Sequence, residues 1–226
     1  MNITEIFYSL QGEGFLAGVP SVFIRLAGCL LRCRWCDTGY AKDPASGHDY
    51  SVEEIINNIK QRPCKFVVIT GGEPMINRDL PQLAKGLKAC GKHITIETAG
   101  IAFIPDMPCD LMSISPKLSN STPKDTVLAA IHEESRLNLA VLGELIDNYE
   151  YQLKFVVDSA NDLPEIRQTL SKLGNVDAER VMLMPQAAAR DEFLAKSPVV
   201  ADLCKETGFI FCNRLQVMLW NNQPGT

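Results

Sequence analysis

Short apolar, β-rich runs recur along the chain at Pro20–Ala27, Lys65–Thr70, His93–Thr98, Asp110–Ser115, Tyr151–Asp158, Arg180–Met184 and Phe209–Gln216, most of them separated by stretches of helical periodicity. Strand, helix and strand in repetition mean parallel pairing through right-handed crossovers, so the class is α/β. Ser51-Val52-Glu53-Glu54 forms a capping box ahead of Ile55, Ile56 and Ile59, which predicts a helix to about Arg62. Further helices are predicted over Asp79–Cys90, Thr122 to about Asn148, Asp162–Leu173 and Asp191–Thr207. Gly91, Gly174 and Gly208 act as stops, and Pro198 is expected to kink or split the last helix. A closed barrel of eight such units takes about 250 residues. Six or seven strands in 226 residues fit an incomplete (β/α) barrel with about six parallel strands instead. In that architecture functional groups gather just beyond the carboxyl ends of the strands. No internal repeat, low-complexity tract or polar linker divides the chain, so a single domain over residues 1–226 is expected.

The composition, 46% hydrophobic and 22% charged, excludes intrinsic disorder. A net charge of -5 without any lysine/arginine run offers no footprint for a phosphate backbone, and nucleic acid is not an expected partner. No apolar run approaches a membrane span, and Met1–Glu5 lacks the regions of a signal peptide, so a soluble cytoplasmic protein is expected. In a reducing cytoplasm the eight cysteines are thiols unless they hold a metal or do chemistry. Cys64, Cys90, Cys109, Cys204 and Cys212 are scattered and read as small buried hydrophobes.

The other three are clustered as Cys29-x3-Cys33-x2-Cys36, directly after a strand, where the architecture places a site. Three thiolates on a tight loop can converge on one soft metal centre. A disulfide is disfavoured by compartment and leaves one thiol over. Structural zinc needs four closed ligands, and the nearby fourth candidate, His48, matches no usual finger spacing. A cubane iron–sulfur cluster held by three thiolates keeps one iron without a protein ligand, the mark of a reactive centre.

Cys-x3-Cys-x2-Cys with Trp35 before the last cysteine resembles the signature of radical S-adenosylmethionine (SAM) enzymes. The resemblance implies a 4Fe-4S cluster whose open iron takes the methionine amine and carboxylate of SAM, and one-electron cleavage to a 5′-deoxyadenosyl radical. Thr70-Gly71-Gly72-Glu73-Pro74 ends the strand Phe66–Ile69 and resembles the Gly-Gly-Glu-Pro turn of those enzymes, which implies that Gly72 meets the SAM amino group. By itself the turn would be a strand-to-helix connection; its pairing with the cysteine cluster gives it meaning.

Gln11-Gly12-Glu13-Gly14, Arg25 and Asp37-Thr38, with Glu97-Thr98, Ser115-Pro116-Lys117, Met184-Pro185-Gln186 and the tail around Leu219-Trp220, resemble the 7-carboxy-7-deazaguanine synthase family over nearly the whole chain. That resemblance implies a lyase acting on 6-carboxy-5,6,7,8-tetrahydropterin, with release of ammonia, in queuosine and 7-deazapurine biosynthesis. It further implies that Leu10, Gln11, Gly12, Glu13, Arg25 and Thr70 bind substrate, with Glu13 reading the pterin edge and the Arg25 fork taking the substrate carboxylate. Trp35, Cys36, Asp37, Gly72, Ser115, Pro116, Lys117, Met184, Pro185, Gln186 and Ala187 fall to SAM. Thr38 becomes a Mg2+ ligand, which suits a hard cation that keeps its waters, and Asp37 is conjectured to hold outer-shell water. Plain strand termination is the competing account of Pro116 and Pro185, and a solvated edge residue that of Arg25. His48, His93 and His132 receive no role. A homodimer and a flavodoxin- or ferredoxin-type electron donor are implied partners. Two rival functions share parts of this pattern: a glycyl-radical-enzyme activase, and a non-catalytic metal-binding or redox-sensing protein.

Overall fold

The computed structural model describes residues Met1–Thr226. Its strands are β1 (Asn2–Leu10), β2 (Pro20–Leu26), β3 (His48–Asp49), β4 (Phe66–Gly71), β5 (His93–Thr98), β6 (Leu111–Ile114), β7 (Tyr151–Val157), β8 (Val181–Pro185) and β9 (Ile210–Phe211). The helices are α1 (Val52–Lys60), α2 (Leu80–Ala89), α3 (Thr126–Ser135), α4 (Leu139–Asn148), α5 (Leu163–Leu173), α6 (Arg190–Thr207) and α7 (Leu215–Trp220). One sheet runs in the order β3-β1-β2-β4-β5-β6-β7-β8-β9. β2 and β4 to β9 pair in parallel, whereas β1 pairs antiparallel with both β2 and β3. The first and last strands of that order do not pair with each other, so the barrel is incomplete, as expected, with β9 a two-residue seventh member of the parallel set.

The period-2 alternation of each strand divides the sheet into two chemically different faces. Val22, Ile24, Leu26, Val67, Ile69, Ile94, Ile96, Met112, Ile114, Leu153, Phe155, Val157, Val181 and Leu183 join Ile55, Ile59, Leu80, Leu83, Leu142, Leu145, Ile166 and Val200 of the helices in one core of 33 buried residues. The alternate positions carry Phe23, Arg25, Thr70, Glu97, Ser113, Lys154, Val156 and Met184, and these line a cavity on the other face. The outer helices therefore hold the sheet together, and the inner face is free to carry polar chemistry.

Several sequence expectations need correction. The strand β1 precedes the first one predicted; as an antiparallel, half-exposed neighbour of β2 it lacks the continuous apolar run of a central strand. The stretch 122–148 holds two helices, because Asn138 caps a new start by accepting from Val141 N at 3.2 Å. Of Phe209–Gln216 only Ile210–Phe211 is strand, and Leu215 already begins α7. Pro198 does not split α6; it lies on the exposed side, where the carbonyl it leaves unpaired can be solvated. No helix is long and apolar enough to cross a membrane.

Candidate functional site

The loop from Cys29 to Cys36 leaves the end of β2 and is stitched to the end of β4. Gly72 N donates to Leu26 O at 2.9 Å and Glu73 N to Gly28 O at 2.8 Å. A side chain on Gly72 would overlap the Gly28 carbonyl and approach Ala41 O to 3.0 Å. The glycine is thus required by the close approach of two protein backbones, one of them adjoining Cys29, whatever it offers a ligand. Glu73 is 2% exposed and secures the turn from below: its carboxylate accepts from Thr98 Oγ1 at 2.7 Å, Ala99 N at 2.7 Å and Met75 N at 3.0 Å. Burial raises its pKa against the pull of those donors.

Cys29, Cys33 and Cys36 are free thiols and all line the cavity. Burial pushes Cys29 up to about 11 and Cys33 upward as well, so neither is a ready thiolate without a bound cation. No three His, Cys, Asp or Glu side chains converge closely enough to enclose one metal ion. A closed zinc site would need that convergence; a cubane takes each thiolate on a different iron and asks only that the three face a common space. The donor set suits the cluster. Lys42 Nζ donates to the Cys33 carbonyl at 3.1 Å, and Lys42 and Lys117 both favour the anionic form of Cys33.

The opposite wall is a buried ion network. Glu13 accepts from Lys154 Nζ at 2.8 Å, Gln216 Nε2 at 2.7 Å and Arg214 Nε at 3.2 Å. Burial alone would raise its pKa, but the two cations outweigh that and hold it at about 2. Arg214 also binds Asp37 Oδ2 at 2.5 Å and the Ala187 carbonyl, so the C-terminal segment is tied to the residue after Cys36. Glu97 accepts from Thr70 Oγ1 at 2.9 Å and Gln11 Nε2 at 3.2 Å, with Lys154 at 3.7 Å. Glu5 lies opposite Arg25 in the antiparallel register and accepts from its Nε at 2.6 Å. The guanidinium carbon stands 5.7 Å from the Phe7 ring and 6.0 Å from that of Tyr40. Held at one nitrogen and flanked by two rings, Arg25 is no solvated edge residue.

Of the residues singled out from the sequence, Leu10, Gln11, Gly12, Glu13, Arg25, Thr70, Trp35, Asp37, Thr38, Gly72, Ser115, Lys117, Met184 and Gln186 line this cavity with the three cysteines. Pro116, Pro185 and Ala187 do not; Ala187 packs with Phe193 and Val217, and Pro185 completes β8. Glu13 and Asp37 face the cavity already engaged by protein cations. Lys154 and Arg214 were missed. A lysine inside the apolar run of β7 was a usable signal, since a buried ammonium needs a partner. Nothing local marked Arg214.

The profile of the Radical SAM superfamily matches residues 23–131. The 7-carboxy-7-deazaguanine synthase of Halobacterium salinarum is 42% identical over 239 aligned residues, covering 100% of this chain and 93% of the relative. That of Rhodopirellula baltica is 42% identical over 99% of this chain and 88% of its own length. Among solved structures, QueE from Escherichia coli superposes with a TM-score of 0.71 at 25% identity over 93% of this chain and 92% of that one. Streptococcus suis SuiB bound to the precursor peptide SuiA shares the fold, with a TM-score of 0.58 at 13% identity over 84% of this chain and 47% of that one. The thiol loop, the glycine stitch beside it and full-length similarity to these synthases agree, and the chain belongs to the 7-carboxy-7-deazaguanine synthase family of radical SAM enzymes.

Proposed function

We propose that this chain, a single domain, converts 6-carboxy-5,6,7,8-tetrahydropterin to 7-carboxy-7-deazaguanine with loss of ammonia, as a step of queuosine or 7-deazapurine biosynthesis. The observation that carries the reading is one cavity lined by three thiols together with Arg25, Glu97, Lys154 and Glu13. Members of the family work with a 4Fe-4S cluster and SAM, which when bound supply one-electron, hydrogen-abstracting chemistry. Everything else falls to the protein. Cys29, Cys33 and Cys36 are the cluster ligands in this reading. Trp35, Gly72, Ser115, Lys117, Met184 and Gln186, with the adjoining Pro116, Pro185 and Ala187, form the SAM side.

On the substrate side Arg25 Nε is bonded to Glu5, which leaves the two Nη nitrogens as the fork for the substrate carboxylate. Leu10, Gln11, Gly12 and Thr70 flank the ring, and Glu97 is the acceptor that Gln11 and Thr70 share. Glu13 carries Gln216 and Arg214 on Oε1 and Lys154 alone on Oε2, so Oε2 keeps a lone pair for a substrate nitrogen. Thr38, with Oγ1 3.8 Å from Cys36 Sγ, supplies one hydroxyl to Mg2+. Asp37, bound to Arg214, is left to order water around that ion. The same reading gives a cytoplasmic homodimer supplied with electrons by a flavodoxin or ferredoxin, with no role for nucleic acid or membrane. The test is product formation: anaerobically reconstituted protein with SAM, reductant, Mg2+ and the carboxy-tetrahydropterin releases 7-carboxy-7-deazaguanine and ammonia. An intact cluster that turns over no pterin would refute the assignment.

A further inference from the structure

His132 on α3 is 0% exposed, yet none of the chemistry above uses it. Both of its ring nitrogens are engaged. Nδ1 lies 3.2 Å from the backbone nitrogen of Arg32, which can only donate, so Nδ1 carries a lone pair. Nε2 lies 2.8 Å from Ser121 Oγ, and that hydroxyl spends its single proton on the Leu118 carbonyl at 2.6 Å. Ser121 Oγ must therefore accept, and Nε2 bears the ring proton. The neutral tautomer is dictated at both ends, and burial, which lowers the pKa of His132, acts in the same direction.

The chain of bonds ends inside the cysteine loop, because Arg32 sits between Cys29 and Cys33. Two more donors of that loop reach the same turn: Arg34 N bonds Ser121 O at 2.8 Å, and Trp35 Nε1 bonds Asn120 O at 3.0 Å. The turn Ser119–Ser121 follows closely on Ser115 and Lys117, which line the cavity. We propose that His132 is a positioning residue that clamps the Cys29–Cys36 loop to the turn after Lys117, keeping the three thiols placed for the cluster and slowing its loss. Without it the half-buried Arg32 amide is a donor with no protein acceptor, and the loop must shift to hydrate it. A leucine fills the space but bonds neither end; a glutamine copies the Nε2 end, and an asparagine copies the Nδ1 end.

The inference rests on Cys29, Cys33 and Cys36 being the cluster ligands, and two readouts separate the ideas. In the apo-protein, the alkylation rate of each loop thiol by iodoacetamide is measured against that of Cys90, which is remote from the loop. In the reconstituted protein, the rate of iron loss to a chelator is followed. His132→Gln and His132→Leu are expected to raise both rates up to about tenfold at the loop, the worth of one hydrogen bond, with Cys90 unchanged. His132→Asn keeps the acceptor and stays within about threefold of wild type. Ser121→Ala, which removes the group that orients the ring, gives an intermediate effect and serves if the histidine variants do not fold. Equal rates in all variants, or equal acceleration at Cys90, would overturn the clamp. Wild-type protein that holds no iron would instead overturn the ligand reading.

Discussion

Gly72→Ala tests whether the cysteine loop is held by backbone contact. The added methyl overlaps the Gly28 oxygen and carbon and stands 3.0 Å from Ala41 O, all of them main-chain atoms that cannot swing aside as a side-chain end would. Overpacking of this kind costs about 1–3 kcal/mol, and contact with backbone on two sides puts this case near 3. For a chain of this length that is a fall of roughly 6–12 °C in Tm. Gly143→Ala in α4 is the matched control: it meets nothing within 4 Å, and the helix gains about 0.5–1 kcal/mol from the lost glycine. Thermal unfolding of the two apo-variants, followed by iron content after reconstitution, reads the result. Gly72→Ala should melt low and load iron poorly, while Gly143→Ala melts slightly high and loads normally. A Gly72→Ala protein with wild-type Tm and full iron content would refute the stitch between β2 and β4.

The ion network predicts a pH-dependent variant. The Glu13 pKa in the fold, about 2, lies below the ordinary carboxylate value, so its stabilisation is present above about pH 4.5 and fades as pH falls toward 2. Glu13→Gln therefore loses about 3 kcal/mol near neutral pH, with Lys154 and Arg214 stripped of a shared anion, and its Tm gap to wild type closes on acidification. A gap that ignores pH would contradict the network. Arg25→Lys keeps the charge but loses the fork, so KM for the carboxy-pterin should rise about 10–100-fold while kcat moves little. An unchanged KM would take Arg25 away from the carboxylate.

The parallel strands and most helices were legible because a strand buried on both sides, or a helix with one apolar face, writes its own period. Ser51 and Glu54 announced α1 with the capping box that the structure contains. β1 was not legible: at the antiparallel flank only Ile3 is buried and the rest of the strand is half-buried or exposed, and its partner begins ten residues later. The site divided the same way. Cys29, Cys33, Cys36 and Gly72 lie in two compact motifs, whereas the partners that set their surroundings are remote. Glu13 meets Lys154 and Arg214 across 141 and 201 residues, and Arg32 meets His132 across 100. Pairing at that distance is a property of the fold, so a lone histidine or a strand lysine could be flagged but not partnered.

The proposed chemistry depends on a cluster gripped by three cysteines with one iron left for SAM. Electron paramagnetic resonance of the reduced, anaerobically reconstituted protein, recorded with and without SAM, addresses it directly alongside Cys29→Ala, Cys33→Ala and Cys36→Ala. The expected result is a 4Fe-4S signal that changes when SAM is added and is lost in each variant. A signal indifferent to SAM, or one that survives removal of any of the three thiols, would contradict it.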